Sequence, residues 1–407
     1  MNLPKKEVLI VIILSLMTAL VSLSIDLYLP AFKAIAEDLG TNMGKVQISL
    51  SVFIAGLGIG QLLWGTLSDR LGRKIPTIIA TVFYCIASLL VLTAKSIEEI
   101  WFYRFIQAFC GSAGMVIARA VVTDYFDKTR TTSIFSLLTL VTGIAPIVAP
   151  IIGNSLLEAG GWHTVFIAMG ILGALTTVLI AFYLPETHLR KDKPVKHIKK
   201  KRSVLGSYLH VLRNPQFVRY MLIASLSIAA MMVYISNSPF LIMEIGGFTG
   251  TQYSIIFGIN ALGMMFGTYL VNPLTKRISA KALIRLTSAS QITITGLMVF
   301  SVLNELPIIT VLILIFLFLI SIGIILPATT NLALEPFHND SGTASALFGF
   351  TQQVFTFALT AINGLVQNNS AMPMVLTLLV CAIVSMISSF VPTMQLKKGI
   401  IAVRIKK

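Results

Sequence analysis

Gly65-Thr66-Leu67-Ser68-Asp69-Arg70-Leu71-Gly72-Arg73-Lys74 is a charged, glycine-punctuated turn wedged between two long apolar runs. A paler copy lies 203 positions further on, about half of the 407-residue chain. Leu71, Arg73, Lys74 and Ile75 recur there as Leu274, Lys276, Arg277 and Ile278, and Gly60 recurs as Gly263. Asp69 falls on Asn272, so the second copy keeps the cations and loses the carboxylate. A duplicated membrane protein with a specialised first half is the simplest cause of that pattern.

Composition agrees. Of all residues 56% are hydrophobic and only 12% charged, with a mean hydropathy of +0.88. A soluble domain of this length has no interior able to absorb that much apolar surface. The apolar runs exceed the roughly 20 residues a helix needs to cross the hydrocarbon layer. Twelve spans are expected, at 8–30, 46–68, 76–94, 99–123, 132–156, 162–184, 219–242, 251–271, 282–303, 307–330, 342–366 and 372–391. No series of short segments alternates at period two, which excludes a β-barrel. The expected fold is all-α and integral to the membrane, with twelve transmembrane helices in two pseudo-symmetric six-helix bundles.

The net charge of +15 suggests nucleic acid until its distribution is read. With both termini cytoplasmic, 27 of the 31 Lys and Arg fall on the cytoplasmic side, leaving Lys33, Lys45, Lys95 and Arg104 outward. The basicity therefore sets orientation, and no nucleic-acid partner is expected. The lipid bilayer is the expected macroscopic partner, a bacterial inner membrane crossed many times the expected location, and a monomer the expected unit. Span one follows Lys5-Lys6 and lacks a cleavage site, so it is expected to be retained as a helix. Cys85, Cys110 and Cys381 each fall inside a span, without disulfide or metal-ligand spacing. The five His lie away from span centres. No metal or cofactor is expected.

Loop lengths give the organisation. Residues 1–184 form one six-span bundle, 185–218 a basic linker that Pro185 opens, and 219–407 the second bundle and tail. Six being even, both halves begin on the same side, as a parallel duplication requires. The run Lys199-Lys200-Lys201-Arg202 reads as a solvated tether, with anionic lipid as its other reading.

The decapeptide at 65–74 resembles the 2–3 loop signature of the major facilitator superfamily. Arg104-Phe105-Ile106-Gln107-Ala108 is similar to that superfamily's Arg-x-x-Gln-Gly element, with Ala108 replacing the glycine. Gly143-Ile144-Ala145-Pro146-Ile147-Val148-Ala149-Pro150-Ile151-Ile152-Gly153 resembles the antiporter motif. Its double Ala-Pro is typical of the bicyclomycin-resistance (Bcr/CflA) branch of drug:proton antiporters. Asp26-Leu27-Tyr28-Leu29-Pro30, Ser238-Pro239-Phe240 and Phe257-Gly258-Ile259-Asn260-Ala261-Leu262-Gly263 look like the same branch. The resemblance implies proton-driven export of small, mostly apolar toxic compounds by alternating access. The energy source it implies is the proton gradient. The rival within transporters is a carrier of a metabolite such as an amino acid, peptide or siderophore.

Each motif also has its own physical reading. Gly65 and Gly72 allow close helix approach and a tight turn, Asp69 can cap a helix or pair with a cation, and Arg73 can bridge to Asp124 at the end of span four. In the family this cluster is a cytoplasmic latch; an ordinary positive-inside turn explains the cations but not the glycines and Asp69. Pro146 and Pro150 remove helix donors and bend span five, while Gly143, Ala145, Ala149 and Gly153 form a small-residue strip for close packing. A plain packing kink would use the same residues. Gly56-Leu57-Gly58-Ile59-Gly60 lies in an apolar helix and reads as helix packing rather than a nucleotide loop.

Charge inside a bilayer is costly and marks function. Away from span ends, only Asp26 and Arg104 qualify, at a similar depth on neighbouring helices. They are the proton-coupling candidates, free to pair or compete, with a static structural ion pair as the plain alternative. Tyr28, Gln107, Asn237, Phe240 and Asn260 are the substrate-cavity candidates, beside Ser238, Asn331, Gln352 and Asn363. Met231, Met232, Met264 and Met265 suit a permissive apolar wall or ordinary packing equally. No nucleophile–base pair or metal set points to an enzyme.

Overall fold

The computed structural model describes residues 4–187, 204–337, 341–368 and 370–390; the basic run at 199–202 and the tail lie outside them. Twelve helices in this range are long and apolar enough to cross a membrane. They are α1 (Lys5–Asp26), α2 (Met43–Leu71), α3 (Lys74–Leu90), α4 (Ile97–Tyr125), α5 (Lys128–Gly160), α6 (Trp162–Tyr183), α7 (Pro215–Pro239), α8 (Gly250–Thr275), α9 (Ala280–Leu303), α10 (Ile308–Leu334), α11 (Ser341–Leu365) and α12 (Met372–Phe390). All twelve expected spans are present, in two pseudo-symmetric six-helix halves.

Polar residues start the helices where the chain leaves the apolar layer. The Asn42, Ser96 and Ser279 side chains each accept from a backbone N–H of the first turn, and Thr249 with Gln252 forms a reciprocal capping box, which satisfies donors the helix cannot. Several helices overrun the expected spans. Pro30 has no N–H to give, so α1 passes into a tight turn at Leu29–Ala31 and resumes over Phe32–Asp38. After Pro239, α7 widens into a π turn over Phe240–Ile245, which carries Glu244 on an extension of the helix.

In lipid, helices associate through close packing rather than burial from water. A side chain at Gly56 would strike the Phe105 carbonyl, and one at Gly60 the Phe109 carbonyl, each at 2.5 Å, so α2 and α4 touch backbone to backbone. Gly263, the repeat of Gly60, faces the Phe316 ring of α10 instead of a backbone, and a side chain there would meet that ring at 2.6 Å. The glycine run in span two is thus a packing face, with Gly58 turned the other way onto Gln353 of α11. Phe182, Ile171, Tyr269 and Leu303 are exposed on the outer wall, where lipid replaces water.

Polar contacts join the halves at the end remote from residues 65–74. Lys33 pairs with Glu244 at 3.0 Å. Asn154 donates to Thr251 at 3.4 Å, and the Ser254 hydroxyl donates to the Pro150 carbonyl at 2.9 Å. Gly44 of α2 abuts Gly364 of α11 at that end too. Further along the α5–α8 seam Gly258 touches Ile147, but a side chain at Gly143 would meet nothing within 4 Å. The seam is zipped at one end and parts toward the other.

Candidate functional site

The parting seam opens a cavity of about 200 Å³ between the halves. Ser22, Ile25 and Asp26 share one face of α1 and line it, as do Thr142, Gly143 and Pro146 of α5. The second half supplies Met231, Met232, Tyr234 and Ile235 from α7 and Phe257, Asn260, Ala261, Met264 and Met265 from α8. The four methionines that sequence left between a permissive wall and ordinary packing are all here. Asn260 donates to the Tyr234 hydroxyl at 2.7 Å, and the Tyr234 and Phe257 rings stack at 6.5 Å. Asp26 is the only acidic or basic side chain in the lining. It is 4% exposed and accepts no hydrogen bond from the described residues.

Arg104 faces another way. It is fully buried inside the first half, its guanidinium 4.4 Å from the centre of the Tyr28 ring and 4.1 Å from that of Phe53. Nη1 donates to the Ser24 carbonyl at 3.0 Å and to Gln107 Oε1 at 2.7 Å, while Nε and Nη2 have no partner among the described residues. Gln107 passes the network to Ser88, and Tyr28 joins Ser49 at 2.8 Å. Asp26 and Arg104 make no ion pair in this conformation. The two share a depth, as the sequence indicated, but a helix turns about 100° per residue. Positions 24 and 28 therefore face α4 while 22, 25 and 26 face the cavity.

Among the five cavity candidates, Asn260 alone lines the Asp26 cavity. Tyr28 and Gln107 belong to the arginine network. Asn237 is buried within the second half, donating to Asn363 Oδ1 at 2.6 Å. Phe240 borders a separate polar vestibule at the closed end, with Lys33, Glu37 and Glu244.

At the other end the decapeptide assembles as expected, with additions. Arg73 Nη1 reaches Asp69 Oδ1 at 2.5 Å and Arg73 Nε reaches Asp124 Oδ2 at 3.0 Å. Ser68 accepts from the same guanidinium at 2.8 Å. The Glu186 carboxylate, past the end of α6, accepts the backbone N–H of Arg73 and Lys74 at 2.8 and 3.0 Å. Gly72 has φ 89°, and a side chain there would lie 2.5 Å from that carboxylate. Gly65 differs from expectation: its neighbourhood leaves ordinary contact distance, 3.5 Å to Val116. Asp69 sits in the last turn of α2, so it pairs with a cation rather than capping a helix start. In the second-half copy Asn272 is exposed, and Lys276 and Arg277 form no ion pair among the described residues.

The antiporter-type segment also divides its labour. Gly143 and Pro146 border the cavity, Pro150 accepts from Ser254 of α8, and Gly153 packs so close to the Leu27 backbone just past α1 that a side chain there would lie 2.5 Å from its carbonyl. Sequence reading did not single out Glu186, Ser68 or the Lys33–Glu244 pair. The carboxylate directly after Pro185, at the exit of span six, was the available signal for the first.

Twelve membrane-crossing helices in two halves, meeting at one end and parting around a mid-membrane cavity, define a membrane transporter. The chain belongs to the Major Facilitator Superfamily, whose sequence model matches residues 14–360. It is 32% identical to the MFS-type transporter YdgK of Bacillus subtilis, over 95% of this chain and 96% of that one. It is 27% identical to the bicyclomycin resistance protein homolog of Haemophilus influenzae, over 96% and 97%. The multidrug resistance protein MdtL of Klebsiella pneumoniae is 30% identical over 91% and 92%. In three dimensions it resembles a D-xylose-proton symporter, with a TM-score of 0.75 at 15% identity over 96% of this chain and 99% of that one.

Proposed function

We propose that this chain is a proton-coupled exporter of small, mostly apolar toxic compounds, working by alternating access in a bacterial inner membrane. The observation that carries this reading is the cavity, walled by methionine and aromatic side chains, whose one carboxyl group, Asp26, has no partner among the described residues. Methionine surfaces adapt to many shapes, and a carboxylate without a protein partner is free to exchange a proton as substrate comes and goes. The names of the bicyclomycin-resistance and multidrug relatives support the substrate class.

In this proposal the 65–74 end faces the cytoplasm with both termini, which agrees with the positive-inside distribution. Residues 1–184 and 219–407 rock as two units about the 185–218 linker, in a monomer. The conformation described is closed outward and parted inward. Asp26 carries the coupling proton, Arg104 keeps the helix network beside it polarised, and the Asp69–Arg73–Asp124 cluster with Gly65 and Gly72 governs the cytoplasmic side. Pro146 and Pro150, with Gly143 and Gly153, shape the α5 seam. Asn260 contacts substrate in this state; Tyr28, Gln107, Asn237 and Phe240 act through the surrounding network and the outer vestibule.

Expression in a pump-deficient bacterium, scored against a toxic-compound panel and by metabolite profiling of the medium, tests the reading. Resistance that depends on Asp26 and collapses with a protonophore is the expected result. A phenotype confined to an excreted metabolite overturns it in favour of a physiological carrier.

A further inference from the structure

A second recess lies between α2 and α4 and shares no lining residue with the central cavity. It has a volume of about 430 Å³ and is lined by Leu63, Trp64, Thr66, Leu67 and Arg70 of α2 and Phe109 of α4. Its walls are apolar and its polar groups are largely spent. The Trp64 indole N–H donates to the Phe109 carbonyl at 2.8 Å, and the Thr66 hydroxyl donates to Leu62 at 3.3 Å. Trp64 and Phe109 form a tilted aromatic floor, ring centres 5.8 Å apart.

One cation closes the recess. Arg70 is exposed at the end of α2, seven residues or about 10 Å along the axis from Leu63. It forms no ion pair among the described residues, unlike its neighbour Arg73. Leu63, 55% exposed, and Leu67, 38% exposed, are left uncovered by the described residues. In a membrane such a wall is covered by lipid. A ligand that fits both parts has a long apolar body and an anionic head at one end.

We propose that this recess is a binding site for an anionic phospholipid. Its phosphate meets the Arg70 guanidinium and an acyl chain lies along Leu67, Leu63, Trp64 and Phe109. Arginine suits the role because its planar fork meets two phosphate oxygens at once, while its stem stays in the apolar layer. The head group then rests beside Asp69 and the α2–α3 turn, where an occupied site adds negative charge next to the latch. The site is independent of the transported substrate and does not rest on the export reading.

Native mass spectrometry of the full-length, delipidated protein tests it with phosphatidylglycerol, phosphatidylcholine and glycerol phosphate as probes. Phosphatidylglycerol should bind best, and Arg70→Gln should weaken it about fivefold, the loss expected for one interfacial cation. Thr66→Trp, which fills the recess while keeping the charge, should weaken it as well. Both positions are exposed, and a melting temperature unchanged from wild type shows that the fold is kept. Arg70→Lys should retain part of the preference. Equal binding of phosphatidylglycerol to wild type and Arg70→Gln overturns the proposal. So does glycerol phosphate binding as tightly as the lipid, which marks a simple anion site.

Discussion

The Lys33 ammonium lies 3.0 Å from the Glu244 carboxylate, joining the extension of α1 to the π turn that ends α7. The two groups are 47% and 31% exposed, and a half-solvated pair contributes only about 0–1 kcal/mol. Its value lies in where it acts, because it bridges the two halves at the end where they are closed. A contact made in one conformation and broken in the other biases their populations by whatever it is worth.

Charge reversal at either position should therefore shift the conformational balance without unfolding the protein. Lys33→Glu or Glu244→Lys places like charges together and should open the closed end, raising maleimide labelling of a cysteine introduced at Asn368. The double swap restores the attraction and should return labelling toward wild type. Labelling that is the same in all four proteins would show that the pair has no part in closing this end.

The latch end makes a sterically sharper prediction. Gly72→Leu should cripple transport and lower the melting temperature, since φ 89° and the Glu186 carboxylate leave no place for a side chain. Gly65→Ala should be tolerated, with only an ordinary contact to Val116. Glu186→Gln keeps an acceptor at the α3 start but loses its charge, and should cost part of a cap's usual 0.5–2 kcal/mol. Asp69→Asn should stop transport while Asn272→Asp has little effect. Thermal unfolding and vesicle transport on the five variants check all of this together.

Arg104 is a buried cation held by two rings, a carbonyl and an amide, and pairs with no carboxylate among the described residues. Arg104→Ala removes the charge and unties Ser24 and Gln107, so both transport and folded yield should fall. Arg104→Lys should fold better than the alanine variant yet transport poorly, because a lysine cannot lie flat between Tyr28 and Phe53. Size-exclusion profiles beside transport rates separate the two effects. A fully active lysine variant would show that charge alone suffices.

The helices and the halves were legible because lipid imposes simple demands: long apolar runs, internally paired backbones and cations sorted to one side. Local clusters were legible too. Asp69 and Arg73 are four residues apart on one chain segment, and Asp124 ends a neighbouring span at the same depth. Azimuth was not. Asp26 and Arg104 agree in depth, but which way each side chain points depends on how α1 rotates against α4 and α5, which no local pattern encodes. Contacts between distant ends were hidden for the same reason. Nothing around Lys33 announces Glu244, and Glu186 reaches Arg73 only because α6 ends beside the start of α3.

The decisive prediction concerns Asp26. Asp26→Asn preserves shape and leaves the methionine wall, Tyr234 and Asn260 in place, but its amide cannot take up and release a proton. In inside-out vesicles with an established proton gradient, adding substrate to the wild type should release protons. The variant should give background release, while its binding of a neutral substrate, followed by quenching of Trp fluorescence, should survive. Because Asp26 and Arg104 are not paired, the loss of coupling should appear without the loss of folded yield expected for Arg104→Ala. If Asp26→Asn still accumulates substrate against a gradient and still dissipates it, the coupling proton is carried elsewhere. Glu37 and Glu244, the carboxylates of the vestibule at the closed end, are then the next positions to neutralise.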